Sequence, residues 1–406
     1  MTAELPPDEW ESLPTMPCRA CGRSVPAGAF CGECGTALSP QPGDGPVWLR
    51  IRAYAAAPDE HMVRPSITTS VFPQLPRRSR TAFRVGLILL VVLLTVFAAL
   101  QLEPALIGIS ALGLPLLFGV YLWETDAFDG VSVRSLVVSA ALGIGLGIGW
   151  AVVTNAVWAR TYDDVLGTPM TPVQALINLV VLPIAGVLLM LLPVAVVRLW
   201  HTGARESLDG FSIGALGALC FIAAGVLTYG APEFANGLVA KDYPRDALIS
   251  LAAIRGVAAP LTAAAIGGMV GAALWFRPRA DPEVVRHWHS LTSPVPAITI
   301  ALLAYVAQNA IDFAWISYGL IVGLYAAIAV LSLVALRAVL HSALLGETSA
   351  DTNPTQPVLC PQCDHVVPDR AFCVNCGIAA NAASRSSRRA RRTDRPVSID
   401  QPQAGP

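Results

Sequence analysis

Between Phe83 and Leu345 the chain is almost continuously apolar, and on both sides of that stretch it is polar and rich in Pro, Gly, Ser and Arg. Polar residues interrupt the apolar stretch at intervals that suit a bilayer-crossing helix, which takes about 20 predominantly apolar residues. The interruptions predict eight transmembrane helices, over about 83–102, 104–123, 133–158, 172–199, 210–231, 250–276, 295–313 and 316–341. Tight turns at Glu103-Pro104 and near Asp312 divide the first pair and the last pair, and misreading either leaves seven or nine as the count. The fold class that follows is an all-α polytopic membrane bundle with soluble ends. Composition agrees: of the 406 residues, 54% are hydrophobic and only 14% charged, where soluble chains carry about a quarter.

Charge orients the helices. An even count puts both termini on one side. If that side is the cytoplasm, the inner flanks carry Arg77, Arg78, Arg80, Arg84, Arg134, Arg198, Arg205, Arg277, Arg279, Arg286 and Arg337, and the outer loops carry Arg160, Lys241 and Arg245. This is the asymmetry of the positive-inside rule. Trp123, Trp158, Trp200, Trp275 and Trp315 fall near expected helix ends, where indole favours the headgroup zone. The acidic N-terminus has no apolar run and does not read as a secretory signal, so the first helix serves as the insertion signal. The expected location is the inner membrane, with both termini cytoplasmic and lipid as the surrounding partner. A net charge of −1 gives no bulk attraction for nucleic acid.

The soluble ends carry the chemistry. "CRACGRSVPAGAFCGECG" near the N-terminus and "CPQCDHVVPDRAFCVNCG" near the C-terminus share cysteine spacing, a Val-Pro pair and an Ala-Phe-Cys step. Each is C-x2-C, nine residues, C-x2-C. Cys18, Cys21, Cys31 and Cys34 form one expected ligand set, and Cys360, Cys363, Cys373 and Cys376 the other. Four thiolates in two close pairs suit tetrahedral Zn2+, giving two closed, structural zinc sites. Disulfides conflict with a reducing cytoplasm, and an iron site is the remaining alternative. So short a segment buries too little apolar surface to fold unaided, so the metal must supply the difference. Gly22, Gly35 and Gly377 follow cysteine pairs where a positive φ is needed, and Phe30 and Phe372 are the expected core contact of each module. His365 reads as a loop residue and Cys220 as a small hydrophobe in the fifth helix. Both modules resemble short zinc ribbons of the double-zinc-ribbon type, which implies docking modules or accessory folds beside a larger domain.

The divisions that follow are a ribbon over 1–45, a linker with a basic juxtamembrane collar over 46–81, the bundle over 82–345, a second ribbon over 346–380 and a disordered Arg-rich tail over 381–406. The tail arginines suit the inner leaflet. Within the bundle, Arg255 reads as an interfacial, snorkelling residue, and Gln308, Asn309 and Asp312 as turn and cap residues. Thr154 and Asn155 are placed for interhelical hydrogen bonds. "GIGLGIG", "GFSIG" and "GGMVG" give the small-xxx-small spacing of tight helix packing within one bundle. Pro183, Pro193 and Pro260 are candidate helix breaks.

"ESLDGFSIGALGALCFIAAGVLTYG" (Glu206 to Gly230), "IRGVAAPLTAAAIGGMVGAAL" (Ile254 to Leu274) and "YLWETDAF" are similar to segments of PrsW-type intramembrane proteases. That resemblance implies a Glu pair, a further Glu and a His as catalytic groups. At the corresponding positions stand Ala185 and Gly186, then Gly225 and Val226, then the stretch "VAAPLT". Peptide hydrolysis needs a water activated by a carboxylate or a metal, and these residues supply neither. The layout is also similar to actinobacterial multi-pass membrane proteins with terminal zinc ribbons. The expected function is a non-catalytic scaffold or regulator whose ribbons dock a cytoplasmic protein. The rival readings are a PrsW-like protease with lost active residues, a pseudoprotease, and a transporter.

Overall fold

The computed structural model describes residues 14–18, 21–38, 54–57, 60, 66–73, 75, 79–165, 172–200, 206–235, 244–278, 292–314, 316–347, 352–354 and 356–395. A hairpin of β1 (Thr15–Pro17) and β2 (Ser24–Pro26) lies in the first cysteine module, and a short helix α1 (Ile67–Val71) precedes the long helices. Then come α2 (Arg80–Ala99), α3 (Glu103–Glu124), a single turn α4 (Ala127–Gly130) and α5 (Val133–Val165). α6 (Pro172–Leu176) runs through a π segment (Ile177–Val181) into α7 (Leu182–Trp200). α8 (Ser207–Gly230) follows. α9 (Arg245–Ala253) runs through a second π segment (Ile254–Ala258) into α10 (Ala259–Trp275). α11 (Pro294–Asp312) and α12 (Tyr318–Gly346) complete eight segments long and apolar enough to cross a membrane. The second module holds β3 (Pro357–Leu359) and β4 (Val366–Pro368), and α13 (Arg385–Thr393) ends the described chain.

The core of the bundle is the crossing of α8 and α10, where most of α8 and nearly all of α10 are buried. Their glycines make this crossing close. A Cβ on Gly210 would strike the Gly271 carbonyl, one on Gly214 the Gly267 carbonyl, and the reverse contacts are as tight. Gly143 and Gly147 of α5 stand in the same way against the carbonyls of Gly217 and Phe221. The glycine spacings therefore serve packing within the bundle, as the sequence suggests. Backbone contact of this kind replaces the hydrophobic drive that lipid cannot provide. A Gly214→Val substitution is expected to cost about 3 kcal/mol of stability in detergent by overpacking. Gly225→Val has the same propensity change but meets nothing within 4 Å, so it should shift stability by only ~0.5 kcal/mol. Equal melting shifts for the two would contradict the packing account.

The prolines do not break their helices. Each π segment ends two residues before a proline, at Val181 before Pro183 and at Ala258 before Pro260. Proline lacks an N–H and crowds the carbonyl four residues back, and the widened turn relieves both problems. Pro193 and Pro115 sit within continuous α-helix.

Several expectations change. The segment read as a linker folds into the bundle's ribbon-side mouth: Tyr54, Ala55, Ala56, Ala57, Phe72 and Leu75 are buried, as are all but the first residue of α1. Phe72 packs on Phe83, Phe118 and Tyr121 at ring-centroid distances of 5.0, 6.2 and 5.3 Å. Arg337, expected on an inner flank, lies inside α12 and is fully buried. Its Nη1 donates to Glu60 Oε2 at 3.1 Å, Thr69 Oγ1 at 3.1 Å and Ser70 Oγ at 3.2 Å, and its Cζ stands 3.9 Å from the Tyr54 ring centroid. Trp275 is enclosed rather than interfacial, with Arg198 over its ring at 5.7 Å. Trp123, Trp158 and Trp200 are exposed as expected, and Trp315 lies outside the described residues.

At the end remote from the ribbons, Gln308, Asn309 and Asp312 tie helices together instead of capping a turn. Gln308 Nε2 donates to Thr262 Oγ1 at 3.4 Å, Asn309 Nδ2 to the Asn178 carbonyl at 2.5 Å, and Tyr325 Oη to the Asp312 carboxylate at 2.8 Å. Thr154 bonds Tyr229 across helices as expected, while Asn155 is exposed. Arg255 is exposed within the second π segment. Part of the tail read as disordered is helical, namely α13; residues 396–406 lie outside the described residues.

Candidate metal centres

In each module the two C-x2-C turns follow a β-strand or an isolated bridge. β1 and β2 pair antiparallel with Thr15 opposite Pro26, and β3 and β4 with Pro357 opposite Pro368. Phe30 bridges to Ala37, and Phe372 to Ala379. The bridge in each module aims the second cysteine pair at the first. Gly22, Gly35 and Gly377 take φ of +70°, +69° and +72°, and the fourth equivalent position is Asp364 at +57°. Asp is among the few side chains that tolerate this region.

The eight cysteines fall into two groups, and within each group the four sulfurs lie within 4.8 Å of one another. Sγ–Sγ separations are 3.6 Å for Cys18–Cys34 and 3.9 Å for Cys21–Cys31. They are 3.7 Å for Cys360–Cys376 and 3.8 Å for Cys363–Cys373. A disulfide needs about 2.05 Å. A tetrahedron with metal–sulfur bonds of about 2.3 Å has edges of about 3.8 Å. The donor sets therefore fit a tetrahedral ion and not a cystine. Burial pushes the Cys21 thiol up to about 11, and a hydrogen bond with Cys31 raises Cys34 further. Within the second group, hydrogen bonding pulls Cys363 down and pushes Cys376 up. Four crowded sulfurs cannot all ionise without a cation among them, and a bound cation inverts that balance. His365 is exposed and bonds the Cys363 carbonyl at 2.6 Å, outside the four-sulfur set.

The two modules pack on each other as a reciprocal pair. Phe30 N donates to the Val374 carbonyl at 2.9 Å, and Phe372 N donates to the Gly32 carbonyl at 3.0 Å. Each pairing joins the same two positions of the repeat with the roles exchanged, the signature of a pseudo-twofold axis. The rings follow suit. Phe372 covers Gly35 and Phe30 covers Gly377, each so closely that a Cβ would sit 2.7 Å from the ring. Each phenylalanine thus reaches into the neighbouring module; Phe372 is also buried with Val367 and Ile378 of its own module, whereas Phe30 is absent from the buried cluster of the first. The first module's own core is Val25 and Leu38 beside Cys18 and Cys31. An Arg370–Glu33 ion pair at 3.0 Å adds to the contact.

The second module is also fastened to the bundle. Gln362 Nε2 donates to the Leu75 carbonyl at 3.2 Å, and its Oε1 accepts from Arg80 at 2.9 Å. Ala379 N donates to the Ala55 carbonyl at 2.8 Å. α13 lies across the junction. Arg385 meets Glu206 and Asp209 at the start of α8, and Arg388 meets Glu206 at 2.6 Å. Arg392 and Arg395 both reach the buried Asp369 of the second module, at 2.9 and 3.4 Å. Four tail arginines therefore have carboxylate partners inside the chain. Glu347 Oε1 accepts from Ser207 N at 2.6 Å, and burial pushes its carboxyl up to about 7.

No family model matches the chain, and neither the curated proteins nor the solved structures include a match. The two four-cysteine groups were legible from spacing alone. The carboxylates that receive the tail were not, because Glu206, Asp209 and Asp369 are distant from their arginines in sequence and no spacing rule links them.

Proposed function

We propose that this is a multi-pass inner-membrane protein whose two ribbons each hold one zinc ion and together form a single cytoplasmic module, serving as a non-catalytic scaffold or regulator that docks a cytoplasmic protein. The observation that carries this reading is the reciprocal pairing of the two modules on the bundle. Two modules with independent tethers would gain avidity through effective concentration. A fixed pair offers one composite surface instead, assembled only when both ends of the chain are folded. All-cysteine donor sets close the metal to substrate, which supports a structural role. The non-catalytic reading rests on Ala185, Gly186, Gly225 and Val226, apolar at the positions where PrsW-like kinship would require carboxylates. Transport is the second reading, favoured by the two π segments, which are frequent at functional sites, and by the buried Gln308–Thr262 contact.

Metal analysis of the full chain purified in mild detergent should give about two zinc ions per chain, and iron in their place would overturn the metal assignment. Phe30→Ala removes the ring from Gly377 but leaves Val25 and Leu38, so both ions should stay. Crosslinking in cells followed by mass spectrometry should then show partners of the wild type lost in Phe30→Ala. An unchanged partner set would refute the composite-surface reading.

A further inference from the structure

Glu347 follows the last residue of α12 and stands where three parts of the bundle meet. Its Oε1 accepts from the main-chain N of Ser207, the first residue of α8. Its main chain bridges to Pro278, just past the end of α10. The residue is only 5% exposed, and among the described residues its Oε2 has no hydrogen-bond partner. The chain runs on from Glu347 to the second ribbon, so this joint sets where that ribbon leaves the bundle.

The charges at the joint balance only when Glu347 is neutral. Two other carboxylates face it, Glu206 just before α8 and Asp209 in its first turn, and so do two cations, Arg385 and Arg388 of α13. Arg385 spans Glu206 and Asp209 at 3.0 and 2.5 Å, and Arg388 meets Glu206 at 2.6 Å. Two guanidinium groups thus already stand against two carboxylates. An ionised Glu347 is a third anion, enclosed, with one oxygen unsatisfied. A buried carboxyl in that position takes up a proton instead. Burial holds it up at about 7, against the pull of Ser207. On the other sides, Pro278 brings no titratable group and Arg277 beside it is exposed. His341, further back in α12, is turned to Ala55 and Arg337.

We infer that Glu347 is a proton-operated latch: carrying a proton it seats the end of α12 on the start of α8, and losing it lets that joint open, so that acidification of the ribbon side tightens the seat of the second ribbon. In an open joint the carboxyl reaches water and returns to the ordinary value of 4.5. Between 4.5 and about 7 the closed joint holds a proton that the open one has released. Each unit of rising pH in that window therefore favours opening about tenfold. The stability conferred by the proton is complete below the window and gone above it, where both forms are ionised.

The test uses the full chain in nanodiscs with its metal bound. Hydrogen exchange is followed at the amides of Ser207 and Glu347, which donate to Glu347 Oε1 and to the Ala343 carbonyl, from about pH 5 to about pH 8. Each rate is divided by that of Glu347→Gln at the same pH, which cancels the intrinsic pH dependence of exchange. Glutamine has the shape of the protonated acid and cannot ionise, so that variant should stay closed throughout. The ratio should rise about tenfold per unit towards pH 7 and level off above it. Infrared difference spectra should show a protonated-carboxyl band that the wild type loses near pH 7 and that Glu347→Gln never has. Asp209→Asn leaves Glu347 in place and should keep both the band and the dependence, which tests the latch even if Glu347→Gln fails to fold. Metal content equal to that of the wild type reports folding of each variant. A ratio that does not change with pH, a band retained in Glu347→Gln, or a dependence lost in Asp209→Asn would overturn the proposal.

Discussion

Cys373→Ser is expected to release the tail helix, whereas Cys31→Ser is expected to leave it docked, although each variant should lose one metal ion. The asymmetry follows from connectivity. The second ribbon bonds Ala55, Leu75 and Arg80 on the bundle side and holds Arg392 and Arg395 through Asp369. The first ribbon meets the second through Phe30, Gly32 and Glu33. A structural zinc site contributes on the order of 10 kcal/mol to so small a fold. Loss of one of four thiolates therefore unfolds the module that carries it. If that module is the second, α13 keeps its partly buried anchors on Glu206, Asp209 and the Gly130 carbonyl but loses its hold on Asp369. Trypsin should cleave at Arg388, Arg391 and Arg392 at least about tenfold faster in Cys373→Ser, an opening free energy lower by ~1.4 kcal/mol. In Cys31→Ser the tail should digest at the wild-type rate. Equal rates in the two variants would show that the first ribbon supports the tail by a route other than the second.

The helical architecture was written in the sequence because bilayer thickness sets a length and lipid sets a polarity, and both can be counted along a chain. The two four-cysteine groups were written there because a C-x2-C turn is local. What the sequence could not disclose is where the polar segments go. Residues 54–75 include Thr68, Thr69 and Ser70, which look like linker residues by composition, yet they are buried. Thr69 and Ser70 supply the oxygen partners that Arg337 needs, and their burial follows from that. Arg337 by itself resembles any inner-flank cation in a sequence count, and Trp275 resembles any interfacial indole. The tail misled for a similar reason. A run of arginines has the composition of a disordered arm, and only the distant Glu206, Asp209 and Asp369 convert it into a docked helix. Phe30 and Phe372 repeat the lesson at smaller scale. Their equivalence in the two modules was visible, but each fills the other's glycine, a reciprocity that appears only when the modules meet.

Arg337 is where the bundle and the ribbons are mechanically joined, and its removal should have the second large effect. Inside α12 it binds Glu60, Thr69 and Ser70 and lies under the Tyr54 ring, which fixes Tyr54, Glu60 and α1 in the mouth of the bundle. One helical turn on, His341 Nδ1 accepts from Ala55 N at 3.2 Å. The carbonyl of the same Ala55 accepts from Ala379 in the second ribbon. Ala55 therefore bonds to a membrane helix through one side of its peptide and to a metal module through the other. Arg337→Met removes the cation and leaves Glu60 partly buried without it. Breaking a buried pair from one side costs about 3–5 kcal/mol, and thermal melting in detergent should register a loss of that size. Glu60→Gln keeps an oxygen facing the guanidinium and should cost less. Because the two residues share one interaction, the double variant should be more stable than the sum of the single losses predicts, by about 1 kcal/mol or more. The decisive readout lies at the ribbons. With metal content unchanged, Arg337→Met should still raise trypsin cleavage in α13, because the strand of contacts through Ala55 has lost its anchor. A variant that melts early with an unchanged tail would mean that the ribbon module holds its place on the bundle through Gln362 and α13 alone, and additive costs for Arg337 and Glu60 would mean that the pair is not the joint.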